Sequence, residues 1–313
     1  MDLRRRGSSY RVRAEAAIET VSIEAFEVQP EARLMRPVAG APRLTASSSD
    51  SMRAISIVDE LGIDRTIYIP AERSLSVVLD DRELVTLMTL GASPELLVLG
   101  FLFNQRLIDA AADVESIAVD WRSGCAVVAT RAAANGRQLP PPRAVASGCG
   151  QGSIFMHLQA HIDAIRLPAA GEARIRQSAL RSILEVMRQH DSIHRHARSV
   201  HSCALFQDAR LLVSVEDVSR HNALDTISGW MIQHGISGAD KVLFTTGRLT
   251  GEMIIKAAQS GVPIVVSRNG ISSMGYDLAK KFGMALFGRA LNRRYHCYVG
   301  ADRLDADETP AKN

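Results

Sequence analysis

From Ile55 to about Pro142 the apolar positions alternate with polar ones, or run together, in strand-length stretches. Ile67-Tyr68-Ile69, Leu75-Ser76-Val77-Val78-Leu79 and Ile117-Ala118-Val119 all read as strands. Asp80-Asp81 falls between strand-like segments as a turn. One helix interrupts the pattern. Ser93 suits its N-cap, Pro94 its first position, and Glu95 complements the positive end of the helix dipole. The stretch Leu96 to Phe103 is apolar on nearly every side, which predicts a buried helix rather than an amphipathic one.

The second half changes period. Leu180, Ile183, Leu184 and Met187 follow the i, i+3, i+4, i+7 spacing of a helix whose N-cap would be Ser178. Cys203 to Phe206 and Leu211 to Val215 read as a hairpin, and a helix from Asn222 to His234 follows. Then Val242 to Thr246, Gly251 to Ser260, Pro263 to Ser267, Ser272 to Phe282 and Met284 to Phe287 alternate strand and helix. Short β–α–β steps predict a parallel sheet with right-handed crossovers.

The breaks in this pattern divide the chain. Residues 1–52, rich in Arg, Ala, Ser and Pro, are expected as a flexible tail, with Ile18 to Phe26 as a possible short element within it. Residues 53–145 form a smaller β-rich domain with one buried helix, 146–305 an α/β domain, and 306–313 a second tail. The expected fold class is α/β. Leu139-Pro140-Pro141-Pro142 marks the junction, and Ser147-Gly148-Cys149-Gly150-Gln151-Gly152-Ser153 follows it, with Ser153 placed to cap a helix from Ile154.

Composition narrows the function. Apolar residues make up 46%, enough for a substantial core. No apolar run reaches the roughly 20 residues of a membrane span. Arg4-Arg5-Arg6 is followed by no apolar stretch of the kind an export signal needs, so a cytoplasmic address is expected. The net charge is +3, and only five of the basic residues are lysine. No basic block is interleaved with aromatics, which argues against nucleic acid, while arginine favours bidentate contact with phosphate. Cys125, Cys149, Cys203 and Cys297 form no C-x-x-C pair, so a zinc ribbon is not expected.

Three segments carry chemistry. Val215-Glu216-Asp217-Val218-Ser219-Arg220-His221-Asn222-Ala223-Leu224-Asp225 is a strand that ends in polar groups and reopens as a helix, as ligand sites in open α/β sheets do. Gly247-Arg248, with Glu252 and Lys256, ends another strand and turns backbone N–H groups and a guanidinium toward the region above the sheet. Cys149, framed by glycines, is either a small structural thiol or a reactive one activated by the dipole of a following helix; the residues alone leave both open.

The first segment resembles the E-D-V-x-R-H-N-A-L-D signature of the FdhD family of formate dehydrogenase accessory proteins. The second is similar to that family's S-G-R-x-S-x-E-M-x-x-K-A segment, matching at Gly247, Arg248, Glu252, Met253, Lys256 and Ala257. The loop is similar to the family's S-x-C-G-x-C-G, matching at Ser147, Cys149 and Gly150, with Gly152 where the second cysteine would stand. The resemblance implies a cytidine-deaminase-like C-terminal domain and a homodimer. It implies a sulfur carrier that serves the catalytic subunit of formate dehydrogenase, with Cys149 taking a persulfide from a cysteine desulfurase. The ligand it implies is the molybdenum cofactor in its bis-molybdopterin guanine dinucleotide form, with a guanine nucleotide such as GDP as surrogate. The implied contacts are Arg220, His221, Asn222, Gly247 and Arg248, with Phe287, Gly288, Arg289, Ala290, Leu291 and Asn292 near the C-terminus. A zinc deaminase would need H-x-E and P-C-x-x-C; His201 is followed two residues later by Cys203, and the second motif is absent. No bound metal is expected.

Overall fold

The structure, a computed structural model, describes residues 24–134, 162–190 and 192–307; Cys149 and its loop, with the helix expected from Ile154, lie outside them. At its centre is a seven-stranded sheet. The strands run in the order Phe26–Val28, Arg210–Asp217, His201–Gln207, Lys241–Thr245, Ile264–Ser267, Ala285–Leu291 and Arg294–Val299. The hairpin expected around Cys203 and Val215 forms, turning at Asp208 with φ 54°. Parallel pairing is confined to Lys241–Thr245, Ile264–Ser267 and Ala285–Leu291. The sheet is therefore mixed rather than parallel. Strands joined by tight turns can pair only antiparallel, and parallel neighbours need a crossover helix between them.

Helices Arg220–His234, Gly251–Gln259 and Ser273–Phe282 cover one face of this sheet, packing Ile227, Trp230, Ile254 and Ala279 on Leu205, Leu243 and Val265. Helix Gln177–Gln189 covers the other, with Leu180 and Ile183 against Phe206, Phe244 and Phe287. Burial on both faces explains why these strands read as continuous apolar runs. Ser178 does not cap its helix as expected: Arg176 holds the cap position, and both the backbone N–H and hydroxyl of Ser178 meet the Asp307 carboxylate.

The β-rich part folds as a five-stranded sheet, in the order Arg43–Leu44, Val114–Asp120, Cys125–Thr130, Arg73–Leu79 and Arg82–Thr89. The Asp80-Asp81 turn is present, both residues in the left-handed region with φ 46° and 65°. Helix Pro94–Asn104 is buried along its whole length. Ser93 is its N-cap residue but its hydroxyl accepts no capping bond; Glu95 accepts from the Thr45 hydroxyl at 2.5 Å and the Ser47 amide at 2.6 Å.

One side of that helix packs on its own sheet and the other on helix Arg220–His234. The two helices cross glycine on glycine. A Cβ on Gly100 would stand 1.7 Å from the Asp225 carbonyl oxygen, and one on Gly229 would stand 2.0 Å from that of Leu96. This contact joins the β-rich part to the α/β part.

From residue 24 on, the expected flexible tail is built into the protein. Phe26–Val28 adds an edge strand to the central sheet, and Arg43–Leu44 pairs with Val114–Asp120, because each offers apolar side chains to a sheet margin. Strands Met52–Val58 and Asp64–Pro70 pair with each other as a separate two-stranded ribbon. No helix among the described residues is long and apolar enough to cross a membrane.

Candidate functional site

Strand Arg210–Asp217 ends in two buried carboxylates, and both are taken up by the protein itself. Glu216 accepts from the Ile193 amide at 2.5 Å, the His194 amide at 3.2 Å and the Ser202 hydroxyl at 2.6 Å, pinning the turn at 192–196. Asp217 accepts from Thr89 Oγ1 at 2.5 Å, the Leu90 amide at 3.2 Å, the Ser219 amide at 3.1 Å and Asn222 Nδ2 at 2.9 Å. Burial pushes the Asp217 carboxyl up to about 6 despite those donors. Asn222 also donates to the Met88 carbonyl at 2.7 Å. Expected as a ligand contact, its amide hydrogens are spent locking the motif to the β-rich sheet. The acidic pair are brackets, and Asn222 both braces the motif and borders the cavity that Arg220 and His221 reach.

Arg220 and His221, at the start of helix Arg220–His234, do reach an opening. A cavity of about 280 Å³ lies between the two parts of the molecule, with Met88 and Phe101 on one side and His201, His221, Glu252 and Lys256 on the other. His221 Nδ1 is 3.4 Å from Glu252 Oε1. Burial, reinforced by Lys256, Arg220, His201 and Arg248, drives the His221 pKa down to about 2, so its imidazole is neutral. His201 is lowered too, by burial and then by Arg220, His194 and Arg248. The ammonium of Lys256 is enclosed, 2.9 Å from Asp225 and 3.4 Å from Glu252. Burial is the largest single influence on it, yet the combined pull of the two carboxylates holds its pKa above the usual lysine value. Asn104 completes this network, donating to Asp225 Oδ1 at 2.7 Å.

Gly247 serves Arg220. A Cβ there would stand 2.7 Å from Arg220 Cδ, so the arginine stem runs over the glycine. The Gly247 amide, expected to face a ligand, donates to Thr245 Oγ1 at 3.0 Å instead. Arg248 is exposed.

The C-terminal segment divides sharply. Phe287 is fully buried, its ring edge-on to Tyr295 at 5.5 Å, and it supports the sheet from within the core. Gly288 is also interior, because a Cβ there would strike the Tyr298 ring at 2.3 Å. Beyond it the pairing shifts register, and Arg289 adopts φ 49° and Asn292 φ 56°. Such a bulge re-aims side chains out of the sheet. Arg289 is exposed there. Ala290, Leu291 and Asn292 line a second cavity, of about 160 Å³, on the opposite face of the sheet from the first.

That second cavity is rich in cations: Arg188, Arg195, Arg198 and Arg268 line it with His190 and His194. Arg188 is committed to Glu185 and Arg195 to the Gln189 carbonyl. Burial lowers the pKa of His194, and Arg268 lowers it further. Arg198, Arg220, Arg248 and Arg268 thus stand just beyond the ends of successive central strands, all at one edge of the sheet. This row of guanidiniums makes the crest cationic, a surface with the charge to attract an anion.

Residues 70–305 match the model of the FdhD/NarQ family. The chain belongs to that family. Relatives called sulfur carrier protein FdhD include that of Halalkalibacterium halodurans, 27% identical over 83% of this chain and 97% of its own. That of Bacillus subtilis is 27% identical over 74% of this chain and 88% of its own. A crystal structure from Desulfotalea psychrophila, of a protein described as a formate dehydrogenase accessory protein, superposes with a TM-score of 0.64. It is 25% identical over 81% of this chain and 98% of that one.

Against that family background, the residues that sequence reasoning missed are Arg198, Arg268 and His194. Nothing in their local sequence marks them; only their distance from a strand end does, three residues before His201 for Arg198 and one after Ser267 for Arg268.

Proposed function

We propose that this FdhD/NarQ protein is an accessory protein for formate dehydrogenase maturation, which carries sulfur to the enzyme's molybdenum cofactor before insertion. The observation that supports this most is the convergence of Ala290, Leu291 and Asn292 with Arg198 and Arg268 on one cavity. Among the described residues neither of those two arginines has a carboxylate partner. A pair of uncommitted guanidiniums fits a diphosphate, which is what joins guanosine to pterin in the bis-molybdopterin guanine dinucleotide form. The cofactor is cargo here, and its chemistry belongs to the dehydrogenase. This chain's residues bind its phosphates and turn it toward the crest, with Arg220, His221, Arg248 and Arg289 as further contacts.

Cys149 is the sulfur carrier in this reading. Its thiolate attacks the outer sulfur of a cysteine desulfurase persulfide; the new S–S bond forms on Cys149 as the desulfurase bond breaks and its cysteine leaves as thiolate. The alternating hairpin, helix and strand order around the central sheet supports a cytidine-deaminase-like class for the α/β part. We further propose a homodimer and a cytoplasmic site of action, as the resemblance implies. Gly152, in place of the family's second loop cysteine, favours one other reading: a cofactor-binding chaperone without sulfur transfer.

Intact mass measurement after incubation with a desulfurase and cysteine separates the two. Transfer predicts one added sulfur, lost in Cys149→Ala; no gain in the wild type leaves the chaperone. Calorimetry with GDP tests the cavity, where Arg268→Ala should weaken binding by about 1–3 kcal/mol. Unchanged affinity would remove the cavity from the proposal.

A further inference from the structure

Nine non-glycine residues among those described carry a positive φ, a region that crowds any side chain with a Cβ. Asp80, Asp81, Asp208 and Asn292 sit in hairpin turns, where short polar side chains tolerate it. Arg198 and Ser199 differ. They are adjacent, at φ 57° and 54°, and belong to no hairpin; they link the turn at 192–196 to strand His201–Gln207. Two left-handed residues in succession, neither of them Gly, Asn nor Asp, persist only where the surroundings over-determine them. Here one carboxylate holds both ends of the loop. Glu216 accepts from the Ile193 and His194 amides before it and from the Ser202 hydroxyl after it. Ile193 and Val200, at the same two ends, are buried in one apolar cluster. What this constraint delivers is the placement of Arg198. The residue lines the cation-rich cavity, and its guanidinium has no hydrogen-bond or ion-pair partner among the described residues. A merely solvated arginine would not need such a backbone, since glycine would serve the turn without strain.

We infer that Arg198 makes this cavity select a nucleoside diphosphate over a monophosphate, by gripping the second phosphate from its strained loop. The inference rests on the cofactor reading above and names the residue that decides which nucleotide form is accepted. Strand order sets the sequence of contacts. Ala290 to Asn292 lie at the end of Ala285–Leu291 and in its turn; Arg268 follows the neighbouring strand, Ile264–Ser267. Arg198 precedes His201–Gln207, which lies beyond Lys241–Thr245 on the far side. Two strand spacings, roughly 10 Å, therefore separate the backbones that carry the two arginines. A nucleotide whose nucleoside rests on Ala290 to Asn292 meets Arg268 with its first phosphate and Arg198 only with its second. The guanidinium fork suits that group, because it takes phosphate oxygens two at a time. Holding the loop rigid beforehand also reduces the ordering cost of capture. The other two arginines of the cavity cannot substitute, since Arg188 is engaged by Glu185 and Arg195 by the Gln189 carbonyl.

Calorimetry with GDP and with GMP on the full chain tests this, beside thermal unfolding without ligand. The wild type should bind GDP about tenfold or more tighter than GMP. Arg198→Gly should erase that preference by weakening GDP alone, with GMP affinity staying within about twofold. Arg198→Ala should lose GDP equally but keep the crowded backbone, so Arg198→Gly should melt about 2 °C above it. Arg198→Lys keeps the charge without the fork and should recover part of the preference. A GDP preference that survives in Arg198→Gly, a loss that falls equally on GMP, or a glycine variant that melts no higher than the alanine one would each overturn the inference. A wild type that binds neither nucleotide would refute the cofactor reading itself, and the inference with it. A wild type that binds GDP with a preference indifferent to residue 198 would refute the inference alone.

Discussion

Replacing Gly100 with alanine adds a single methyl group at the point where the two halves of the molecule touch. In the native packing that methyl would lie 1.7 Å from the Asp225 carbonyl oxygen and 2.6 Å from the Gly229 nitrogen, against the 3.4–4 Å of ordinary contact. The atoms it meets are backbone and cannot rotate away, so the helices must separate by about 1.5 Å, and overpacking of this kind costs about 1–3 kcal/mol. Separation also strains the 2.7 Å bond from Asn104 to Asp225. Loss of a donor from a buried carboxylate costs about 1–3 kcal/mol more. Alanine's better helix propensity returns about 1 kcal/mol. The net loss is about 1–5 kcal/mol, and the middle of that range lowers the urea midpoint by roughly 1 M or more for typical denaturant slopes. Trp230, buried on the facing helix next to Gly229, gives the fluorescence signal. Gly229→Ala should behave alike, and the double variant should lose less than the sum, since the first methyl opens the gap the second needs. A midpoint equal to or above that of the wild type would refute the close crossing, because propensity alone would then be in play.

The Asp217 carboxyl, held at about 6 in the fold against 3.8 in a free chain, binds its proton more tightly when folded. Its stabilisation is therefore complete below pH 4 and is lost as pH rises to about 6, a difference of about 2–3 kcal/mol; Asp217→Asn should lack this fall, and unfolding curves at pH 4 and pH 7 that change identically in both proteins would contradict it. Lys256→Met strands Asp225 without its cation and should cost about 3–5 kcal/mol, with partial recovery on adding Asp225→Asn; thermal unfolding reads both. Arg303 is buried and donates to the carbonyls of Gly283, Ala169, Ala173 and Pro168. Arg303→Met should lower stability by about 2–4 kcal/mol and speed proteolysis at 168–173; an unchanged cleavage rate would count against that clamp.

Much of the secondary structure is local and was legible in the chain. The apolar run Leu96 to Phe103 had to be buried because no orientation offers a polar face to water. The four-residue Gln207-Asp208-Ala209-Arg210 link had to make an antiparallel hairpin, since it is too short for a crossover. The motif at 215–225 placed Arg220 and His221 at a helix start, and they do border a cavity. Where its acidic pair points could not be read from the motif, for a physical reason. A carboxylate or amide that ends a strand can face a ligand or another part of the same protein, and the sequence of one strand holds no record of what packs beside it. Only the docking of the β-rich part, through Thr89, Leu90 and Met88, turned Asp217 and Asn222 inward.

Sequence by itself, then, determined most of the elements, the α/β class and the family, because these depend on residue order and on periodicities a few residues long. Tertiary structure alone decided which arginines share a cavity. Arg198 and Arg268 are 70 positions apart in the numbering, yet both line one pocket, since His201–Gln207 and Ile264–Ser267 flank the same strand, Lys241–Thr245, and a sheet brings strand ends together whatever the length of chain between them. It also decided that Phe287 and Gly288 support the sheet while Ala290 to Asn292 border the cavity, because a register shift between them redirects the backbone. Pairing between distant segments sets that shift, and no local pattern encodes it.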